Sequence, residues 1–389
     1  MTHKPTIAIA GAGIGGLTAA VALKKVGLTA TIYEQAPELG EVGAGLTITP
    51  NATRILDGLG LDAAMAAMAD ATPHVGALDW KTGERVEYTP RGTDVYLKAY
   101  GAVTRHVHRA DLHDALMAAL QPRANQIHTA HQLQTVNQSA GGIELGFTNG
   151  HTAQCDVLIG CDGIKSAVQD ALFPTEPPRF TGYVAWRAVV ERRHAPRVNL
   201  DPHFASYVAN GKMFGRYPLR HGKVINCVAM AKRDSAGDES WTARDDVNNV
   251  LKEFEGWHRD VIDIIKAIPV DGCFRWSLHT RKALDSWVNG RVTLLGDAAH
   301  PMTPFLGMGA ALAIEDAAVL GRCFGKYGPD WDAALAAYQA ARLERGNAVF
   351  ARSISQGERL FGTGASKHHR SPGFGLDDLY RYDALSVAI

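Results

Sequence analysis

The 389-residue sequence has no long hydrophobic run, no net charge and no paired-cysteine motif. Each absence narrows what the protein does. No apolar stretch approaches the roughly 20 residues that span a bilayer, so no membrane anchor is expected. Lys+Arg and Asp+Glu are both 40, a formal net charge of zero. That balance offers no electrostatic pull toward nucleic acid or an anionic membrane surface. The five cysteines, Cys155, Cys161, Cys227, Cys273 and Cys323, form no CxxC pair. An odd count in a chain this long fits reduced thiols in the cytoplasm, each filling space as a small hydrophobe. The histidines show no HExxH spacing, so no metal is expected. The apolar stretch Ile7–Ala12 is too short for the core of a signal peptide and runs into glycines, so no export signal is expected.

What is present is a globular composition, 46% hydrophobic, in a chain long enough for more than one domain. Thr6–Ala10 predicts a strand, a glycine-rich turn follows, and an Ala/Leu-rich helix runs to about Lys25. Thr29–Glu34 predicts the next strand, completing a βαβ unit. Further on, Gly45–Pro50 alternates like a strand, and Asn51–Leu59 and Asp111–Leu120 look helical. Ile127–Phe147 predicts strand, turn and strand, and Asp156–Gly160 a buried strand. From about Pro174 to Cys273 the texture turns to Val, Tyr and Phe runs separated by turns, with one helix near Asp245–Ile265. Helix and strand texture resumes at Arg291–Leu295 and continues through Gly309–Phe324 and Asp332–Arg352. The tail after Gly362 is rich in Gly, His and Ser and reads as loop.

Four segments carry chemistry. In the first, Gly11-Ala-Gly13-Ile-Gly15-Gly16, the glycines allow a tight turn and close approach of backbone to a pyrophosphate. The helix that follows offers free N–H groups and a partial positive charge. Glu34 closes the next strand, where a carboxylate accepts hydrogen bonds from a ribose diol. In the second, Arg291–Leu295 runs into Gly296-Asp297-Ala-Ala-His300-Pro301, an acid placed to meet ribityl hydroxyls. Pro304-Phe305-Leu-Gly307-Met-Gly309-Ala310 then opens a helix whose dipole would stabilise negative charge on a reduced flavin. The third, Asp156–Gly160 followed by Cys161-Asp162-Gly163-Ile-Lys-Ser166, is again a strand ending in Asp-Gly. The fourth is Arg109 in His108-Arg109-Ala-Asp111-Leu, where an arginine opens a helix and can reach a phosphate, a flavin face or a surface carboxylate.

Together these segments resemble the group A flavoprotein aromatic hydroxylases, with the p-hydroxybenzoate hydroxylase fold. The likeness is nearest the branch of salicylate, 3-hydroxybenzoate and 6-hydroxynicotinate hydroxylases. Its marks here are Glu41-Val-Gly-Ala-Gly45, Pro50-Asn51, the HRADL stretch, Gly182-Tyr-Val-Ala-Trp-Arg187, Tyr217-Pro-Leu-Arg220 and Ala313-Ile-Glu-Asp316. The resemblance implies an α/β fold: a discontinuous, Rossmann-like FAD-binding domain of the glutathione-reductase type (1–173 and 277–389), interrupted by a β-rich substrate domain (174–276). It also implies non-covalent FAD, NADH or NADPH as co-substrate, and O₂ activated as a flavin C4a-hydroperoxide that hydroxylates a phenolic or N-heteroaromatic small molecule. Gly11, Gly13, Gly15, Gly16, Glu34, Gln35, Arg109, Leu133, Asp162, Asp297, Pro304, Gly307, Gly309 and Ala310 are the cofactor residues it implies. A flavin oxidase, dehydrogenase or epoxidase, and a non-catalytic flavin protein, remain alternatives on the same scaffold, and monomer and homodimer both stay open.

The chain departs from that family in several places. Gln169 stands where the family has an arginine, in the segment associated with the pyridine nucleotide. Thr47, Met213 and Phe305 stand where the hydroxynicotinate branch has histidines, which implies a more apolar substrate. Tyr217 shares a strand face with Met213 and Gly215 by the two-residue period. It reads equally as a group that binds or deprotonates a phenol and as a half-buried sheet tyrosine. His300 reads as a base or as a structural hydrogen-bonding group. Arg187, Arg216 and Arg220 could meet a substrate carboxylate, but the resemblance implies structural roles for Arg187 and Arg220, and Arg216, on the opposite strand face to Tyr217, is expected to point away from the pocket. Only one full GxGxxG unit is present, since Gly362-Thr-Gly364 and Gly373-Phe-Gly375 lack the third glycine, so the pyridine nucleotide is expected to bind transiently.

Overall fold

Short runs of Ile, Val and Ala at the start of the chain bury both faces of their strands, as a sheet covered by helices requires. In the computed structural model, which describes residues 6–40, 44–124, 126–209, 211–236, 243–361 and 376–389, these runs form one sheet. Its strand order is Val288–Asn289, Val292–Leu294, Val157–Gly160, Ile7–Ala10, Ala30–Tyr33, Ile127–His128. All neighbours are parallel except the first pair. Ile7–Ala10 is therefore central, with Val157–Gly160 beside it and Val292–Leu294 one strand further out, despite their distance in sequence. Helices Ile14–Lys25 and Gly309–Tyr327 pack on this sheet, and their apolar faces merge into the largest core cluster.

A second sheet has seven strands, in the order Phe274–Thr280, Arg179–Glu191, Val224–Lys232, Lys212–Leu219, Phe204–Ala209, His74–Leu78, Arg85–Pro90. It is antiparallel apart from the pairing of Phe204–Ala209 with His74–Leu78. One face packs on helices Val247–Glu253 and Arg259–Lys266 and forms a second core. This sheet corrects the expected boundary of the β-rich part in two ways. Residues 74–90 belong to it by hydrogen bonding, although they lie inside the 1–173 segment, and its last strand runs to Thr280, past residue 276. The expected single helix near Asp245–Ile265 is two short helices, separated at Gly256, whose φ of +79° breaks the helical path.

A two-stranded ribbon, Gly45–Ile48 against Arg105–His108, lies between the two sheets. The 31-residue helix Trp331–Phe361 runs on past its expected end at Arg352. The two GxG triplets fall at 362–375, outside the described residues, as does Glu41-Val-Gly, but the rest of the expected tail loop is corrected: it holds a short helix, Asp377–Arg381, with Leu379 and Tyr380 buried. Among the described residues no helix is long and apolar enough to cross a membrane, and all five cysteines are unpaired.

Candidate active site

The glycine turn begins where the strand Ile7–Ala10 ends. Gly11 has φ +101°, and a Cβ on Gly16 would sit 2.1 Å from the Gly11 carbonyl oxygen, so neither position accepts a side chain without moving backbone. Gly13 caps the helix Ile14–Lys25 without a side-chain hydrogen bond, and no acid occupies the first turn. No acid of the helix itself offsets the positive end of its dipole, which favours anion binding there. Glu34 is fixed at the end of the neighbouring strand, accepting hydrogen bonds from the Ala12 N–H at 2.7 Å and the Ala36 N–H at 2.9 Å.

Asp297 follows the strand Val292–Leu294. It is exposed, but into a cavity; protein surrounds its other sides, and that burial pushes its carboxyl up, while His300 and Arg109 pull it down. Beneath it lies a buried ion network. His300 Nε2 donates to Asp316 at 2.6 Å, Arg342 bonds Asp316 and Glu315 at 2.8 Å each, and Asn51 donates to Glu315 at 2.6 Å. Burial alone would raise Asp316, yet His300 and Arg342 beside it hold it low. Such a network adds little net stability but fixes geometry, since breaking one partner strands a buried charge. Here it ties the Asp297 turn to helices Gly309–Tyr327 and Trp331–Phe361. The former begins after a left-handed Gly307, with no acid in its first turn.

These pieces meet at a cavity of about 410 Å³, a size typical of small-molecule sites. Gly13, Gly15, Arg109, Asp297, Pro304, Gly307, Gly309 and Ala310 line one side. Thr47, Met213, Tyr217 and Phe305 line the other. Two helices with no acid in their first turns, an acid facing the cavity and a turn closed to a Cβ at Gly11 and Gly16 fit a flavin dinucleotide. A model of the FAD-binding domain family matches residues 4–353. The chain belongs to that family, as an FAD-dependent aromatic monooxygenase. 3-Amino-4-hydroxybenzoate 2-monooxygenase of Streptomyces platensis is 35% identical over 360 residues, 92% of this chain and 89% of that one. 6-Hydroxynicotinate 3-monooxygenase of Pseudomonas fluorescens is 33% identical over 362 residues, 90% of each chain. Among solved structures, Klebsiella pneumoniae HpxO, complexed with FAD and uric acid, has a TM-score of 0.83 at 27% identity, covering 94% of this chain and 90% of that one. The monooxygenase's cofactor is FAD, and NADH or NADPH is the family's reductant.

Several expected site residues of the monooxygenase lie off the cavity wall. Gly11, Gly16, Glu34 and the exposed Gln35 cluster at the strand ends beside the glycine turn. Leu133 packs against the large core instead. Asp162 is occupied within its own loop: its carboxylate accepts from Ser166 Oγ at 2.5 Å and from the Val168 N–H at 3.2 Å. Its neighbours Cys161, Gly163, Ile164 and Lys165 reach the cavity instead. Of the two readings of His300, the structural one fits its place: the side chain is 2% exposed, bonded to Asp316, and not on the wall.

On the sheet side, Met213, Gly215 and Tyr217 face the cavity together, and Arg216 points to the opposite face, where it donates to the His203 carbonyl. Burial pushes the Tyr217 hydroxyl up to about 12, against the opposing pull of Arg187, so it stays protonated and able to donate. Arg187 donates to the Gly45 carbonyl at 2.8 Å and lies over the Trp276 ring. Arg220 pairs with Asp111 at 2.6 Å. The residue that the motifs missed is His106. It lines the cavity, stacks on Tyr217 with centroids 4.3 Å apart, and its Nδ1 meets Thr47 Oγ1 at 3.2 Å. The sign of it was the alternation His106-Val-His108 just before Arg109, on a strand that pairs His106 with Thr47.

Proposed function

We propose that this monooxygenase hydroxylates a phenolic or N-heteroaromatic small molecule, with FAD held non-covalently and NADH or NADPH as electron donor. The observation that carries the proposal is the shared cavity: the glycine turn, Asp297 and the sheet face of Met213 and Tyr217 all border one space. Bound FAD supplies the oxygen-activating chemistry. In this reading the helix start after Gly13 holds the pyrophosphate, and Glu34 accepts from a ribose diol. Arg109 and Asp297 hold the middle of the cofactor, and the backbone from Pro304 to Ala310 frames the flavin ring. Tyr217 donates a hydrogen bond to an oxygen on the substrate ring. Thr47, Met213 and Phe305 form its walls, and Met213 and Phe305 favour a substrate less polar than a hydroxynicotinate. The largely apolar wall keeps water from the reacting atoms, which limits unproductive loss of reducing equivalents. The free, mostly buried cysteines support the expectation of a reducing, cytoplasmic setting.

The test is a screen of phenolic and N-heteroaromatic acids for substrate-stimulated NADH or NADPH oxidation, with hydrogen peroxide measured alongside. A true substrate stimulates oxidation with little peroxide. Stimulation with stoichiometric peroxide marks a compound that binds without being hydroxylated. If no compound stimulates, the proposed reaction is wrong.

A further inference from the structure

A glycine inside a helix is destabilising relative to alanine, so an interior glycine calls for a local reason. In the helix Trp331–Phe361, Gly357 has one. A Cβ there would lie 2.5 Å from Cε2 and 2.6 Å from Cδ2 of Phe305. The Phe305 ring rests directly on the helix backbone, in the notch left by the missing side chain. Its other neighbours close it in: Tyr183 edge-on with centroids 5.2 Å apart, and Phe361 at 5.5 Å. With Leu360, Met213 and Met230 these rings make a small third core between the seven-stranded sheet and the helix end. Phe305 is also a wall of the cavity.

The same helix holds the rest of that loop. Ser353 Oγ donates to the Thr303 carbonyl at 2.6 Å and lies 2.9 Å from Thr303 Oγ1. Ser353, Gly357 and Phe361 are spaced four apart and so share one helix face. One face thus fixes where the loop starts, seats Phe305 and backs it. A side chain at position 357 would displace the ring, and with Tyr183 and Phe361 packed against it, the open side is the cavity.

We propose that Gly357 is a positioning residue for substrate specificity: by withdrawing Phe305 it leaves room for a bicyclic or bulky-substituted aromatic ring, which a filled notch would exclude. This rests on the hydroxylase reading above. The test compares the wild-type holoenzyme with Gly357→Ala on 3-hydroxybenzoate and 1-hydroxy-2-naphthoate. KM and kcat come from stimulated NADH or NADPH oxidation, and dissociation constants from the change in flavin absorbance. In Gly357→Ala the KM and dissociation constant of the naphthoate should rise about tenfold relative to those of the single ring, the scale of a methylene-sized misfit. Adding Phe305→Leu should restore the ratio. Phe305→Leu alone should shift preference toward the larger ring, which serves if the alanine variant does not fold. An unchanged ratio in Gly357→Ala, or a crystal structure of it with Phe305 in its original place, overturns the proposal. A wild type that no phenol stimulates sinks the hydroxylase reading instead, and the crystal structure then decides the role of Gly357 by itself.

Discussion

The two sides of the cavity are built by different means. On the proposed nucleotide side the groups are mainly backbone, the turn from Gly11 to Gly16 and the helix starts at Ile14 and Gly309, joined by the side chains of Glu34, Arg109 and Asp297. On the other side they are side chains drawn from separate elements: Met213 and Tyr217 from a sheet face, Thr47 and His106 from the ribbon, Phe305 from a loop. Backbone recognition depends on the space left by absent side chains and is indifferent to most neighbouring residues. Side-chain recognition depends on which residue stands at each position. The first wall should therefore fail abruptly when atoms are added, and the second should change preference by degrees.

The largest effect expected follows from the closest approach. Gly16→Ala places a Cβ 2.1 Å from a carbonyl oxygen that belongs to the turn itself. The variant should purify colourless and take up no flavin, read as loss of visible flavin absorbance. A yellow Gly16→Ala protein would mean that the turn is not the pyrophosphate cradle. Asp297→Ala comes next. It removes a charged acceptor worth ~1.5–3 kcal/mol, so FAD should bind about ten- to a hundredfold more weakly to the apoprotein in a fluorescence titration. Tyr217→Phe should separate the walls. FAD affinity should hold, and kcat/KM for the substrate should fall by up to about tenfold, the scale of one neutral hydrogen bond. If FAD affinity drops as far as kcat/KM, the two walls do not act independently.

How much of this was legible in the sequence divides along the same line. Glycine spacing, a strand before it and an acid after the next strand are local patterns, so the nucleotide wall and the parallel sheet could be read directly. The Gly-Asp turn at Gly296-Asp297 was legible for the same reason. What sequence spacing did not show is which distant segments share a surface. The hairpin at 74–90 joins the seven-stranded sheet through a parallel pairing with Phe204–Ala209, a contact no local pattern encodes. His106 was passed over because its importance lies in the strand opposite, at Thr47. His300 stayed open between a base and a structural hydrogen-bonding group, because its partner lies sixteen residues on in sequence. Its partner, Asp316, sits on the helix Gly309–Tyr327 and holds it in a buried hydrogen bond. For Leu133, half-buried at a strand start against the large core, packing and not local spacing decides what else it meets.

The smallest effect expected concerns acid, and it has opposite signs on the two walls. Burial, aided by His203 and Arg91, holds His106 well below the ordinary imidazole range, and burial with His74 and Arg216 holds His203 to about 4. Folded, both are neutral; unfolded, each takes up a proton as pH falls through about 6.5. The unfolded state then binds more protons, so stability rises with pH across that window and is lost as pH falls from about 6.5 toward 4. Asp297 runs the other way: burial raises its folded pKa above the unfolded value of 3.8, so its contribution declines as pH rises through the interval between them. Melting temperatures of the apoprotein between about pH 7 and pH 5 should therefore fall with acidification, by up to ~1.4 kcal/mol per pH unit for each fully titrating histidine. His106→Phe, which keeps a ring against Tyr217, should flatten that slope, and Asp297→Asn should remove the opposing contribution in the interval that opens above pH 3.8. Equal slopes in wild type and His106→Phe would show that the imidazole does not stay neutral in the folded wall, and the contrast between the two sides would lose its electrostatic half.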